Sequence, residues 1–513
     1  MRLIDFFDRG VSLYPSRACL CDLSGRSLSF KEVQQLTFRI GNKLIANGLA
    51  PEGVGAVLSP NDVDAFACIL GILRGGGAWM PLNARNSVED NVHILADNEC
   101  RWLFYHSSFA KAVEEIRARV PGLTGLVCID RANGSEPGLG SWLAEASEEA
   151  FYVPATPHDI TSIWPSGGTT GRSKGVMLTH LNFETMISNF VTSMPYDEPP
   201  VHLVAAPMTH AAGCIAFPLL AMGATQIIIP SADPLQIMRS IERFKVTTLF
   251  LPPTVIYMML GHPRVREFDY SSLRHFIYAA APMSARKLQE ALEVFGPVMA
   301  QTFGQAEAPM LCTFLSPAEH VAANEKRLTS CGRPTMFVQL EVMDDEGRIL
   351  PPNERGEIVA RGNLVMKGYY KNPSATEEAS RFGWHHTGDI GFKDEEGYFY
   401  IVDRKRDMII SGGFNIYPSE IEQVLWSHPA VQDCAVVGVP DDKWGEAVKA
   451  IIQLKPGATA LPEDFEPFCR RALGGMKTPK SFEVWEQLPR SPVGKVLKRS
   501  IRDRFWAGRS RNV

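Results

Sequence analysis

From the first residues to about position 325, short apolar runs alternate with stretches in which apolar residues return every three or four positions. Runs of four to eight apolar residues suit strands buried on both faces, and the longer period suits helices packed against a sheet. The alternation predicts an α/β core built from several parallel-sheet units. One helix is explicit: Phe183, Met186, Ile187, Phe190, Val191 and Met194 fall on one face, so a helix starts near Asn182. It lies beyond a Gly-rich loop that follows Ile163-Trp164, which reads as a strand, a loop and a helix.

Residues 211–229 carry no charge, a length that raises a membrane span as a candidate. Pro218, Gly223, Thr225 and Gln226 interrupt the run, and Ile227-Ile228-Ile229 is β-branched. The pattern therefore favours a buried helix over 214–221, a Gly turn and a short core strand over 226–229. From about 330 to 405 the texture changes to extended pieces at 338–343, 356–359 and 398–401, separated by Asp-Asp-Glu-Gly and Pro-Pro-Asn turns. This predicts a small antiparallel or barrel-like section. Ser419-Glu420-Ile421-Glu422 then reads as a capping box that opens a compact αβ module running to the end, with a boundary near 405.

Composition narrows the class. The 513 residues correspond to about three to four units of domain size, and 45% apolar with 21% charged residues is the balance of a soluble globular protein. A net charge of −5 offers nucleic acid no global positive field. Locally, residues 470–511 hold 12 basic residues against Glu483, Glu486 and Asp503, so this tail carries +9. It is either a solvated surface or a patch that meets phosphates. Of ten cysteines only Cys19 and Cys21 are close and no C-x-x-C occurs, which points to reduced thiols in a cytosol rather than zinc or disulfides. Asp5 and Asp8 break the apolar amino terminus, so a signal peptide is not expected.

The strongest chemical signal is Ser166-Gly167-Gly168-Thr169-Thr170-Gly171-Arg172-Ser173-Lys174-Gly175. Its glycines permit close backbone approach, and its hydroxyls and Lys174 supply donors for phosphate oxygens. It lacks the Gly-Lys-Ser/Thr of a Walker A loop. Further along come Pro207-Met208-Thr209-His210, Ala280-Ala281-Pro282, Phe303-Gly304-Gln305-Ala306-Glu307, Trp384-His385-His386-Thr387-Gly388-Asp389, the stretch 403–422 and Pro492-Val493-Gly494-Lys495. In this order the motifs resemble the adenylate-forming superfamily of acyl-CoA synthetases, peptide-synthetase adenylation domains and beetle luciferases, over nearly the whole chain.

The resemblance implies a large N-terminal domain, 1–405, with two parallel-sheet α/β subdomains and a small β-barrel, and a smaller mobile α+β C-terminal domain, 406–513. It implies an ATP-dependent acyl-CoA ligase, most similar to the fatty-acid or aryl-acid branch, using ATP, Mg²⁺ and coenzyme A on a carboxylic acid. Lys495 would bridge carboxylate and α-phosphate, Glu307 would hold Mg²⁺, and His210 would gate the acyl tunnel. Nucleotide contacts would come from Ser166, Gly167, Gly168, Thr169, Thr170, Gly171 and Lys174, from Ala280, Ala281 and Pro282 beside adenine, from Phe303, Gly304 and Gln305, and from Asp389 and Arg404 on the ribose. Arg406 would be the hinge, where relatives usually carry Asp or Lys. Gly412 and Gly413 would line the pantetheine channel, with the basic tail near coenzyme A phosphates. Tyr278 and Ala279 would narrow the acyl pocket toward a medium-chain, branched, cyclic or aromatic acid. Ala306 stands where the family usually has Thr or Ser, Gly167 where it has Ser, and Ser173 where it has Pro. A missing donor to a charged group is worth about 1.5–3 kcal/mol, so slow turnover is one consequence. Two other readings stay open: an adenylation enzyme loading a carrier protein in trans, and a non-catalytic nucleotide or acyl binder. A cytoplasmic protein with no nucleic-acid partner and no membrane segment is expected, and a homodimer is one assembly the sequence allows.

Overall fold

The apolar runs become two sheets rich in parallel pairs. In this computed structural model, residues 1–166, 173–490 and 496–507 are described. Two units are distinguished: Met1–Pro282 with Gln289–Leu340 and Ala360–His385, and Met283–Leu288 with Glu341–Val359 and His386–Val513.

The first unit holds both sheets. One runs Arg333–Pro334, Thr313–Leu315, Met299–Phe303, His275–Tyr278, Thr248–Leu251, Val201–Val204, Thr225–Ile228, Ala18–Asp22, Ser27–Ser29. Its members from Met299–Phe303 to Ala18–Asp22 pair in parallel, with antiparallel strands at both edges. The other runs Gly368–Tyr369, Gly175–Thr179, Ile160–Pro165, Ala78–Pro81, Val54–Leu58, Trp102–Tyr105, Gly125–Cys128, parallel except for the first two. Sheets of this kind bind ligands beyond the carboxyl ends of their strands. Ser166, His210, Ala280 and Glu307 all follow such ends.

The uncharged run folds as expected. Ala211–Ala221 is a helix whose residues from Ala212 to Ala221 are all buried, and Thr225–Ile228 is a strand. A helix apolar on every side belongs in a core, and no helix among the described residues is long and apolar enough to cross a membrane. The amino-terminal helix Leu3–Leu13 packs on it through a glycine: a Cβ at Gly10 would sit 2.1 Å from the Leu220 carbonyl oxygen. Asp8 on that helix accepts two guanidinium bonds from buried Arg74, at 2.5 and 2.6 Å, while Arg74 Nε donates to the Thr37 hydroxyl. The helix expected near Asn182 spans His180–Ser193 and is capped by Thr179, whose hydroxyl accepts from the Asn182 N–H. All ten thiols are free and nine are buried.

In the second unit, Phe414–Ile416, Ile409–Ser411, Gly445–Leu454 and Val431–Asp441 form an antiparallel sheet to which Ser481–Val484 adds in parallel. Ile409, Ile421, Val436, Ile452 and Phe465 form its core. The extended pieces of 338–404 make a four-stranded sheet of Gln339–Met343, Gly356–Arg361, His385–Lys393 and Phe399–Arg404. The expected capping box does not form. Helix Pro418–Trp426 begins at Tyr417 without a side-chain cap. The Ser419 hydroxyl donates instead to the Val402 carbonyl, and the Glu422 carboxylate accepts the Val436 N–H at 2.8 Å. Tertiary partners outcompeted the local motif.

Candidate active site

The phosphate-loop candidate lies between two strands rather than between a strand and a helix. Strand Ile160–Pro165 pairs antiparallel with Gly175–Thr179, Pro165 opposite Gly175, before helix His180–Ser193 starts. This corrects the strand–loop–helix expectation: Val176, Met177 and Leu178 extend as a short second strand. Gly167, Gly168, Thr169, Thr170 and Gly171 lie outside the described residues. The base of the loop is tied by Ser166 N–H to the Lys174 carbonyl (2.8 Å), Lys174 N–H to the Ser166 hydroxyl (3.0 Å) and Ser173 hydroxyl to the Ser166 carbonyl (2.8 Å).

Strand Gly368–Tyr369 continues this sheet beside Val176 and Met177 and brings an aromatic residue that sequence reading missed. The Tyr369 hydroxyl donates to the Glu307 carboxylate at 2.9 Å, and the Lys174 ammonium lies 4.8 Å from the centre of the Tyr369 ring. The Met366 N–H holds the Glu307 carbonyl at 2.8 Å. Burial first, and the Glu307 charge second, raise the Tyr369 pKa far above the ordinary phenol range, so the hydroxyl stays a donor. Nearby in the chain, Gln305 N–H reaches the Ala308 carbonyl, and the His385 ring contacts the Gln305 side chain at 3.3 Å.

His210 begins helix Ala211–Ala221. Its Nδ1 lies 3.0 Å from the Thr209 hydroxyl, and its ring meets Trp164 edge-on with centroids 6.3 Å apart. Burial pushes its pKa down to about 4, so it is neutral at pH 7. Phe303 is buried at the end of its strand. Ala280, exposed just past strand His275–Tyr278, has φ +74°, a left-handed conformation that costs a non-glycine residue about 1–2 kcal/mol. Such strain gathers at functional sites. Ala281 is half-buried and Pro282 exposed; Ala279 is buried. Tyr278 is buried with its hydroxyl 3.1 Å from both Gln301 and His320.

In the second unit, Asp389 and Arg404 are direct cross-strand partners, with Arg404 Nε 3.5 Å from a carboxylate oxygen of buried Asp389. Arg404 is half exposed, which leaves its guanidinium donors open to solvent on one side. Arg406 accepts a bond from Arg502 on its carbonyl (3.4 Å), and burial together with neighbouring Arg404 lowers its pKa. Gly412 and Gly413 turn the hairpin between Ile409–Ser411 and Phe414–Ile416 with φ of 58° and 80°. A Cβ at Gly412 would stand 2.5 Å from the Trp444 indole. Phe414 and Trp444 beside this turn are 54% and 44% exposed, apolar surface that the sequence reading did not single out.

Lys495 lies outside the described residues with the rest of 491–495. Its flanks are held firmly. Arg490 and Val496 bridge antiparallel, and Leu497 N–H reaches the Pro489 carbonyl at 2.8 Å. Arg490 pairs with Asp433 at 2.6 Å, and half-buried Lys498 pairs with buried Glu422 at 2.9 Å. Burial acts against the Lys498 charge, yet Glu422, Asp403 and Asp407 outweigh it and keep the ammonium protonated. Lys498→Met leaves buried Glu422, whose pKa burial already raises to about 7, without its ammonium, and should cost up to about 3 kcal/mol. Urea unfolding should show most of that loss restored in Lys498→Met with Glu422→Leu; equal losses in single and double variants would contradict the pairing. The basic tail is also less exposed as charge than its count suggests. Arg470, Lys477, Arg490, Lys498 and Arg499 each meet a carboxylate, from Glu466, Glu420, Asp433, Glu422 and Asp503.

Among the described residues no three His, Cys, Asp or Glu side chains gather as a metal site, which leaves zinc-type centres without ligands there. A lone half-buried carboxylate, Glu307, fits Mg²⁺, which usually takes one or two carboxylates and completes its shell with substrate phosphates and water.

Residues 7–370 match the family described as AMP-binding enzyme, and residues 420–495 match the AMP-binding enzyme C-terminal domain. A medium/long-chain-fatty-acid–CoA ligase, FadD8 of Mycobacterium tuberculosis, is 38% identical over 500 residues, covering 93% of this chain and 86% of its own. A feruloyl-CoA synthase of an Amycolatopsis species is 36% identical over 487 residues, covering 94% of each chain. The crystal structure of ATP-bound MatB from Rhodopseudomonas palustris superposes with a TM-score of 0.89 at 29% identity, covering 98% of this chain and 99% of that one.

Proposed function

The chain belongs to the family of AMP-binding enzymes and is an adenylate-forming ligase, and from that premise we propose that it is an ATP-dependent acyl-CoA ligase. A carboxylate oxygen of the acid attacks the α-phosphorus of ATP, the bond to the β-phosphate oxygen breaks, and pyrophosphate leaves. The sulfur of coenzyme A then attacks the acyl carbon and AMP departs with the bridging oxygen.

The first step brings anions together, so the site must supply cations and donors where charge builds up. In this reading Lys495 spans the carboxylate and α-phosphate, and the loop 166–174 wraps the other phosphates. Glu307 would hold Mg²⁺, which supplies positive charge against the phosphates when bound. Asp389 accepts from the ribose diol and Arg404 donates to it. Ala280, Ala281, Pro282, Phe303, Gly304 and Gln305 border the base and the acyl group, and neutral His210 gates the acyl side without acting as a base. For the second step we assign 406–513 as a domain that turns about Arg406, so that Gly412 and Gly413 flank the incoming pantetheine where small residues leave room.

The observation that carries the reading is the cluster of Lys174, Tyr369 and Glu307 at the base of the hairpin loop, an ammonium and a carboxylate held by one tyrosine at the strand ends. Tyr278, Ala279 and the methyl of Ala280 favour a medium-chain, branched, cyclic or aromatic acid over a long straight one. The test is a pyrophosphate-release screen over such acids and a chain-length series, with and without coenzyme A. Acid-dependent pyrophosphate together with a free acyl-CoA is expected. Pyrophosphate without acyl-CoA would instead indicate another acceptor, such as a carrier protein, and palmitate exceeding every shorter acid would contradict the pocket assignment.

A further inference from the structure

Tyr369 touches the two oppositely charged groups of the hairpin site at once. Its hydroxyl donates to Glu307, and its ring face carries the Lys174 ammonium. Lys174 and Glu307 make no ion pair with each other among the described residues, although both contact this one side chain. Lys174 is exposed and Glu307 half-buried, and an ammonium and a carboxylate on one shared neighbour still attract each other. A direct pair would neutralise both groups before any phosphate or cation arrived.

The backbone fixes Tyr369 in this role. Strand Gly368–Tyr369 pairs with Gly175–Thr179, Tyr369 opposite Val176, and the Tyr370 N–H holds the Gly175 carbonyl at 2.7 Å. On the other side the Met366 N–H holds the Glu307 carbonyl. The segment 366–370 thus ties the loop's return strand to the segment bearing Glu307.

We propose that Tyr369 is a positioning residue for the nucleotide site, resting on the adenylation reading: it keeps Lys174 and Glu307 apart and separately oriented, so that one remains available to phosphate and the other to Mg²⁺. The hydroxyl acts through Glu307 and the ring acts through Lys174, so the two functions are separable by substitution. Tyr369→Phe removes only the hydrogen bond to the carboxylate. Tyr369→Leu removes the cation–π platform as well.

The test is calorimetric titration of the full-length protein with ATP, across a series of Mg²⁺ concentrations and in EDTA, with thermal melts to confirm folding. Tyr369→Phe should raise the Mg²⁺ concentration for half-maximal ATP binding by about tenfold, the weight of one hydrogen bond to a charged group, and leave binding in EDTA unchanged. Tyr369→Leu should in addition weaken ATP in EDTA by about three- to tenfold. In a Glu307→Ala background the Tyr369→Phe shift should vanish, which a merely structural role would not produce. An unchanged Mg²⁺ dependence in Tyr369→Phe, or the same shift with Glu307 absent, would overturn the assignment while leaving adenylation intact. A wild-type protein that binds no ATP at any Mg²⁺ concentration would overturn the adenylation reading and this one with it.

Discussion

Lys495→Ala is expected to slow acid-dependent pyrophosphate release by about a thousandfold, the scale on which a donor aimed at transition-state charge matters. Transfer of the acyl group from a supplied acyl-adenylate to coenzyme A should stay within about twofold, because that step develops its charge at the acyl carbon after pyrophosphate has gone. The split separates a role in one half-reaction from damage to the fold. The flanks of Lys495 make fold damage a poor explanation in advance: the Arg490–Val496 bridge and the ion pairs of Arg490 and Lys498 do not involve its side chain. Equal loss of both half-reactions would refute the role.

Acid should unfold the first unit well before its carboxylates are protonated. His180, His202, His210, His275 and His320 are each pushed down to about 4 by burial. Their unfolded value is about 6.5, so the unfolded chain binds protons that the folded one refuses. The stability they contribute is present above pH 6.5 and lost as pH falls toward 4. At pH 5 the loss is about 2 kcal/mol for a fully buried ring such as His202, and less for part-exposed His210. Urea titrations at pH 7 and pH 5 should therefore differ by several kcal/mol, with about four to five protons taken up on unfolding. His202→Asn should flatten the dependence by about one proton. A midpoint unchanged between pH 7 and 5 would show that these rings carry their charge in the fold.

Legibility in the sequence followed how local each signal is. Helix His180–Ser193 was visible because Phe183, Met186, Ile187 and Phe190 bury one face, and Ala211–Ala221 because a helix buried on all sides needs no polar stripe. Asp389 and Arg404, singled out through motif order, are direct cross-strand partners. Strand Gly175–Thr179 was not visible, since five residues after a Gly-rich loop look like its flank until Ile160–Pro165 and Gly368–Tyr369 pair with them. Tyr369 left no local signal, because its partner Glu307 is 62 residues away. Ser419 and Glu422 misled for the converse reason: a four-residue pattern matched a cap while Val402, Val436 and Lys498 claimed both side chains. The tail's charge was overcounted because Glu420, Glu422, Asp433 and Glu466, which neutralise it, lie upstream of the stretch.

The most direct test follows an oxygen atom. A substrate acid labelled with ¹⁸O in both carboxylate positions, turned over with unlabelled ATP and coenzyme A, should deliver one ¹⁸O to AMP and none to pyrophosphate. Unlabelled AMP, or ADP with label in inorganic phosphate, would show that the acid's carboxylate does not attack the α-phosphorus.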